Sequence, residues 1–552
     1  MHIDCQTTPA QYKHWRLEID GQQATLWLDF AEDGGLMGGY ELKLNSYDLG
    51  VDIELADALQ RLRFEHPTVK VCVLRSAKAR VFSAGANIRM LAGASHAHKV
   101  NFCKFTNETR NSMEEASESS GLKFLAAVDG ACAGGGYELA LACDEILLVD
   151  DGTSSVSLPE VPLLGVLPGT GGLTRVVDKR HVRRDRADVF STTEEGIRGK
   201  RAVEWRLVDQ IAPRSGFDAA VAAKVEALAL ASTRPNQGAG VLLPPLERTV
   251  TEDALTYPHL SVEVDRTAGT ARLTLSGPTA TPPAEAAALH AEGAASWSLA
   301  AARALDDAIL QLRMNDPEIG VWLLETQGDP ALVLSHDAFL ASEAAAGDWL
   351  AAEIRHYWKR VFKRLDVTSR SLVALIGPGS CFAGLLAELA FASDRAYMLI
   401  GGLEGDNRPE ATMTLSTSNF GAMPMANGLS RLATRFLGDP ESLAAAEASI
   451  GEAMDAEAAD ACGLVTFAYD DIDWEDEIRV FLEERASFSP DAMTGLEANL
   501  RFAGPETMET KIFARLTAWQ NWIFQRPNAV GPEGALQRYG SGQKPNFNKT
   551  RV

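Results

Sequence analysis

The chain has 552 residues, 46% of them hydrophobic and 23% charged, with a formal net charge of −23. That length is too great for one ordinary core, and so negative a chain is not built to neutralise a nucleic-acid backbone over a basic face. A phosphorylated small ligand is still allowed, because a local cation cluster can reverse the field inside a site.

The opening MHIDCQTTPAQYKHWR lacks the apolar stretch of a signal peptide, and the most apolar runs, such as SLVALIG, are short and broken by Gly or Pro. No membrane span is therefore expected. Seven cysteines (Cys5, Cys72, Cys103, Cys132, Cys143, Cys381 and Cys462) occur without a CxxC pair, which predicts reduced thiols and a cytoplasmic setting. His96 and His98 diverge on a helix and do not complete a tetrahedral shell, so neither a metal nor a cofactor is expected.

In chain order, LADALQRLRFEHPTVKVCVLRS from Leu55 predicts an amphipathic helix ending before His66-Pro67, then a buried strand. VFSAGANIRML from Val81 follows as a turn of small residues where backbone amides can approach a ligand closely. AAVDGACAGGGYELALACDEILLVDD then gives an apolar strand, a triple glycine and a helix beginning near Gly135. Glycines at a helix start cost backbone entropy of roughly 1 kcal/mol each. What they permit is a free N–H at the positive end of the helix, open to a developing oxyanion. Glu138 falls in the apolar run YELALAC, and Glu160 follows a proline in SLPEVPLLGVLPGTGGLTR. Two carboxylates in a shielded site are general acid/base equipment, although either one alone reads equally as a capping or exposed residue. Arg175, at the end of that segment, is read as structural.

The first half of the chain recurs in the second. Asp57, Ala58, Leu62, Arg63, Pro67, Val71 and Leu74 return as Asp307, Ala308, Leu312, Arg313, Pro317, Val321 and Leu324, 250 positions later. The same offset pairs Glu138 with Glu388 and Pro159-Glu160 with Pro409-Glu410. The predicted fold is thus α/β, a tandem duplication of βα units with right-handed crossovers. The expected boundary lies around residues 232–257, giving domains 1–250 and 251–552. The Ala/Pro-rich residues 279–296 are expected to form a loop. Residues 505–526 are read as helical, with Trp519 and Trp522 as packing residues. In the second copy GGG becomes Gly384-Leu385-Leu386, FSAGAN becomes VLSHDA and PGTGG becomes PMANG, so a structural role is expected there.

The ordered series FSAGAN, GGGYELA, LPE and PGTGG resembles the signature of the crotonase (enoyl-CoA hydratase/isomerase) superfamily. The resemblance implies a crotonase-like spiral of ββα units in each copy, with helical C-terminal regions, and no cofactor besides the coenzyme A thioester substrate. It implies oxyanion-hole amides at Ala84 and Gly135 and acid/base carboxylates at Glu138 and Glu160. It also implies a CoA-side loop of Ser83, Ala86, Asn87 and Ile88; Asn87 departs from the Asp found in many members. Lys43 and Arg80, with Lys78 and Arg89, are candidates for the CoA phosphates. Cys103 reads either as lining the acyl pocket or as a buried packing thiol.

Within the superfamily, the doubled length, the long HWRLEIDGQQATLWLDF opening and the basic tail QRYGSGQKPNFNKTRV resemble ring-opening carbon–carbon lyases. That would make 2,3-epoxy-2,3-dihydrobenzoyl-CoA the substrate, and 3,4-didehydroadipyl-CoA semialdehyde and formate the products. A broad-range enoyl-CoA hydratase or isomerase and a non-catalytic acyl-CoA-binding protein are the alternatives. A homo-oligomer, with a dimer favoured, and no nucleic-acid or membrane partner complete the expectations.

Overall fold

The computed structural model describes residues 2–552 and divides into two compact units, Asp4–Pro245 and Leu246–Val552 with Ile3. The first unit opens on a hairpin, β1 (Trp15–Asp20) and β2 (Gln23–Leu28), whose tight link uses Gly21 at φ +56°. α1 (Leu49–Phe64) follows, its N-terminal amides of Gly50 and Val51 capped by the Asp48 carboxylate. It ends before His66-Pro67, as the sequence predicts, and β3 (Val71–Ser76) begins.

From there the chain repeats one pattern of long strand, short strand and helix. β3, β4 (Val81–Ser83) and α2 (His96–Ser119) form the first round. β5 (Lys123–Val128), β6 (Ala131–Ala133) and α3 (Gly135–Leu141) form the second. β7 (Glu145–Asp150), β8 (Ser155–Ser157) and α4 (Glu160–Leu164) form the third. β9 (Gln210–Pro213) and α5 (Phe217–Ala231) close the unit.

The long strands assemble in the order β1-β2-β3-β5-β7-β9, parallel after the first hairpin, while the short ones make a second sheet, β8-β6-β4. Parallel strands covered on both faces read as unbroken apolar runs, which is why Val71–Leu74 and Phe124–Val128 are continuously buried. Phe217, Val221 and Leu228 of α5 pack on Val71, Val73, Leu125 and Leu147. Each such side chain contributes about 1.5–3 kcal/mol when fully buried. The short sheet therefore hands its strands directly to the starts of α3 and α4, where the candidate site lies.

The second unit carries an eight-stranded sheet of β10 (Thr249–Val250), β11 (Ala254–Tyr257), β12 (Leu260–Asp265), β13 (Thr270–Ser276), β14 (Val321–Gln327), β15 (Ser371–Ile376), β16 (Arg395–Leu399) and β17 (Phe467–Tyr469), in sequence order. Its last six strands repeat the arrangement of one antiparallel pair followed by parallel neighbours. Two expectations change here. Residues 279–296 are not all loop: Ala286–Glu292 forms a helix, because the prolines at 282 and 283 precede a run of the strongest helix former. VLSHDA lies inside the helix Pro330–Ala345, so the turn is replaced by regular structure. Residues 505–526 are helical over Met508–Thr510, Lys511–Leu516 and Thr517–Ile523, and Trp519 meets Trp522 edge-on at 5.5 Å. Among the described residues no helix is long and apolar enough to cross a membrane.

Candidate active site

The triple glycine is required by close approach on three sides. Gly134 adopts φ +53°, and a Cβ there would stand 2.9 Å from Glu160 Oε1. A Cβ on Gly135 would stand 2.0 Å from Tyr47 Oη, and one on Gly136 would stand 2.6 Å from the Ser83 Cβ and carbonyl. Gly85, at φ +84°, faces the same point, since its Cβ would stand 2.7 Å from Gly135 N. The FSAGAN turn and the helix start are thus pressed together without intervening side chains. Gly135 is the first residue of α3, so its N–H has no carbonyl one turn back to bond.

The second donor of the expected oxyanion hole is not Ala84. Its N–H donates to the Leu44 carbonyl at 3.0 Å and is spent there. Residues 85–86 instead run as a short strand beside Ser46–Tyr47, and the Asn87 N–H donates to the Tyr47 carbonyl at 2.8 Å. Alternation along a strand then turns the Ala86 N–H to the opposite side.

The two carboxylates occupy unlike surroundings. Glu138 is 3% exposed and accepts from Thr170 N at 3.0 Å, from Gly172 N at 2.8 Å and from the Thr170 hydroxyl. Burial raises its pKa, while those donors and Arg110 hold the rise back. Glu160 opens α4, and its Oε2 is buried with no hydrogen-bond partner. Burial, followed by the nearby Glu138 charge, pushes its pKa up to about 7. One carboxylate is held as an acceptor by a ring of donors; the other is poised to gain or lose a proton near neutrality.

Around this pair the sequence candidates fall into two sets. Cys103, on α2, is partly buried, and burial together with the Glu138 and Asp52 charges raises its thiol to about 11. It is a thiol rather than a thiolate near neutrality. Ser83 and Asn87 are internal supports. The Ser83 hydroxyl donates to the Asn45 carbonyl at 2.7 Å. Asn87 accepts from Met90 N as the cap of helix Ile88–Gly93, and its amide donates to the Glu41 carbonyl and the Ser46 hydroxyl. Both side chains are engaged within the protein, so a CoA-side role of this loop would fall to its backbone. Ile88, Arg80 and Arg89 are exposed, whereas Lys43 is paired with Glu41 at 2.6 Å and Lys78 donates to the Phe30 carbonyl and Glu32. Arg175 binds Glu114 through two bonds of 2.9 Å and donates to the Thr170 carbonyl at 3.2 Å, so it holds the loop that donates to Glu138.

Four residues of this region were not singled out from sequence. Thr170 carries two of the three bonds to Glu138. Asp52 and Arg110 form a fully buried ion pair at 2.5 Å, and Arg110 lies 5.4 Å from the centroid of the Tyr47 ring. A charge at a buried position of an otherwise apolar helix face, as at Asp52 in LGVDIEL, was the available signal.

In the second unit the described residues that recur 250 positions later line no comparable opening. Gly384-Leu385-Leu386 is buried, Glu388 is bonded to Arg431 and Asn419 at 2.8 Å each, and Glu410 is exposed. Among the described residues no group of three or more His, Cys, Asp or Glu side chains could hold a metal ion.

Residues 42–239 match the enoyl-CoA hydratase/isomerase family. A benzoyl-CoA-dihydrodiol lyase from Aromatoleum evansii is 55% identical over 550 residues, spanning 100% of this chain and 98% of that protein. The fatty acid oxidation complex subunit alpha of Shewanella amazonensis is 36% identical over 164 residues, 29% of this chain and 22% of its own. Of solved structures, an enoyl-CoA hydratase from Bacillus anthracis is 24% identical over 39% of this chain and 76% of its own, with a TM-score of 0.34.

Proposed function

Because the chain belongs to the benzoyl-CoA-dihydrodiol lyase family, within the enoyl-CoA hydratase/isomerase group, we propose that it opens the ring of 2,3-epoxy-2,3-dihydrobenzoyl-CoA with two molecules of water. The products are 3,4-didehydroadipyl-CoA semialdehyde and formate. The observation that carries this reading is the unequal carboxylate pair facing the bare helix start. The Gly135 N–H, with Ala86 N–H in the place expected for Ala84, holds the thioester oxygen while charge accumulates on it. A preorganised donor of this kind is worth about 3–4 kcal/mol in the transition state.

Glu160 takes the proton from the attacking water, since its carboxylate is half formed near neutrality and has an unbonded oxygen. Glu138, fixed by Thr170 and Gly172, keeps the field in which Glu160 works. Carbon–carbon cleavage then follows with the thioester as electron sink, and Cys103 lines the acyl side. The exposed Arg80 and Arg89 meet the CoA phosphates, and Ile88 offers apolar surface beside them. We assign catalysis to residues 1–250. Residues 251–552 form a degenerate copy, which the recurring strand order and the 250-residue offset support. A cytoplasmic homo-oligomer, most simply a dimer, fits the composition.

The test is formate and CoA-product analysis by mass spectrometry on 2,3-epoxybenzoyl-CoA, with crotonyl-CoA in parallel. Ring opening with formate supports the proposal. Hydration of crotonyl-CoA alone overturns it in favour of a hydratase.

A further inference from the structure

Tyr47 lies on the short strand that pairs with Ala86, and its ring is 2% exposed. Its Oη is buried and has no hydrogen-bond partner, which a fold tolerates only at a cost. The neighbouring Thr170 hydroxyl gives its one hydrogen to Glu138, and Oη makes no hydrogen bond to its oxygen. The position of Oη is informative. It stands 2.0 Å from where a Cβ on Gly135 would sit. A Cβ lies about 2.5 Å from its own backbone nitrogen, so Oη is within about 4.5 Å of Gly135 N. Two donors that close can share one acceptor at ordinary lengths of about 2.9 Å.

The ring is held from behind by an assembly that the core does not need. The Arg110 guanidinium faces it at 5.4 Å, bonded to Asp52 at 2.5 Å, and Asp52 also accepts from the Thr106 hydroxyl at 2.5 Å. A fully buried ion pair is a poor way to gain stability, because desolvation offsets its attraction. Its occurrence follows the open helix start. At the positions 250 residues later, Trp297 replaces Tyr47 and Ala302 replaces Asp52, in the unit where the glycine triplet reads Gly384-Leu385-Leu386. There the Trp297 indole N–H is satisfied by the Ser276 carbonyl.

We propose that Tyr47 is a further catalytic residue, whose phenolic O–H donates a hydrogen bond to the same substrate oxygen that Gly135 N–H holds. The substrate oxygen is the partner that the buried phenol lacks. Asp52 and Arg110 are positioning residues, and the cation over the ring draws electron density from it and strengthens the O–H as a donor. Burial, with the Asp52 and Glu138 charges, raises the Tyr47 pKa far enough that it stays a neutral donor, leaving proton transfer to the glutamates. This inference rests on the thioester reading of the site, though not on ring opening itself.

The experiment compares wild type, Tyr47→Phe and a protein with 3-fluorotyrosine at position 47. Each is mixed with a non-reacting cinnamoyl-CoA ester whose absorption moves to the red when its carbonyl is polarised. Turnover of the epoxide is followed separately. The expected result is a smaller red shift and a roughly 100- to 1,000-fold lower kcat in Y47F. KM, the melting temperature and the pH inflection near neutrality should be unchanged, and the isosteric fluorinated protein should show a larger red shift. An identical spectrum in all three proteins overturns the proposal, whatever happens to turnover. So does a loss of ester binding in Y47F that tracks a fall in melting temperature. If wild type polarises the ester and Y47F does not, but no formate appears from the epoxide, the Tyr47 inference stands and the ring-opening reading fails.

Discussion

Glu138 and Glu160 share one site yet differ in what binds them: Glu138 accepts three hydrogen bonds from residues 170–172, and one oxygen of Glu160 accepts none. The charge of the first helps hold the proton on the second, which lifts Glu160 to about 7. Because Glu160 acts as the base, its working form appears as pH rises through that value. We expect kcat/KM to climb from pH 6 to pH 8 and then level, and Glu160→Gln to remove both the climb and most of the turnover. A full-activity Gln variant, or a profile flat across neutrality, would contradict the assignment.

The coupling between the two groups gives a second test. Removing the negative charge in Glu138→Gln withdraws the repulsion that raises Glu160, so the residual activity should inflect at lower pH than in wild type. Thr170→Val acts in the opposite sense on Glu138, deleting a donor that restrains its rise. The lost charge-assisted bond is worth about 1.5–3 kcal/mol, so turnover should fall roughly 10- to 100-fold. Binding of an unreactive CoA ester should be retained, as measured by calorimetry. Equal losses in binding and turnover would mean that Thr170 merely shapes the loop.

Much of this site is legible in the sequence because its demands are local. A triple glycine before YELALAC announces a bare helix start, and the proline before Glu160 fixes where α4 begins. The 250-residue offset leads to the expectation of a second sheet, and the last six strands of the eight in the second unit run as one antiparallel pair followed by parallel neighbours. Two kinds of fact are not local. Which amide of FSAGAN points at the ligand depends on strand alternation, and Ala84 is turned to Leu44 while Ala86 faces away from Tyr47. The Asp52–Arg110–Tyr47 group joins α1, α2 and a short strand, so no window of sequence contains it. Asn87 illustrates a third limit: an amide that caps a helix and one that meets a ligand look alike until the fold places them.

The Asp52–Arg110 pair makes a stability prediction of its own. Breaking it from one side leaves a buried charge alone, which typically costs 3–5 kcal/mol, whereas replacing both groups by apolar residues of similar size is close to neutral. Asp52→Leu should therefore melt well below wild type, and the double variant Asp52→Leu with Arg110→Met should recover most of the loss. Turnover should stay low in the double variant, because Tyr47 no longer has its cation. Restored activity together with restored stability would reduce the pair to packing.

The second unit should contribute no chemistry. Its Glu388 carboxylate is buried between Arg431 and Asn419, and Arg431 is bonded in turn to Asp366 at 2.6 Å. Glu388→Ala strips one partner from a buried guanidinium, so the expected effect is a lower melting temperature with kcat within about twofold of wild type in the folded fraction. Glu410 is exposed and carries no such load, so Glu410→Gln should alter neither quantity. The contrast with Glu138→Gln, at the matching position of the first unit, is the decisive comparison. If Glu388→Ala or Glu410→Gln abolished turnover while the protein stayed folded, the second unit would have to be counted as part of the working site.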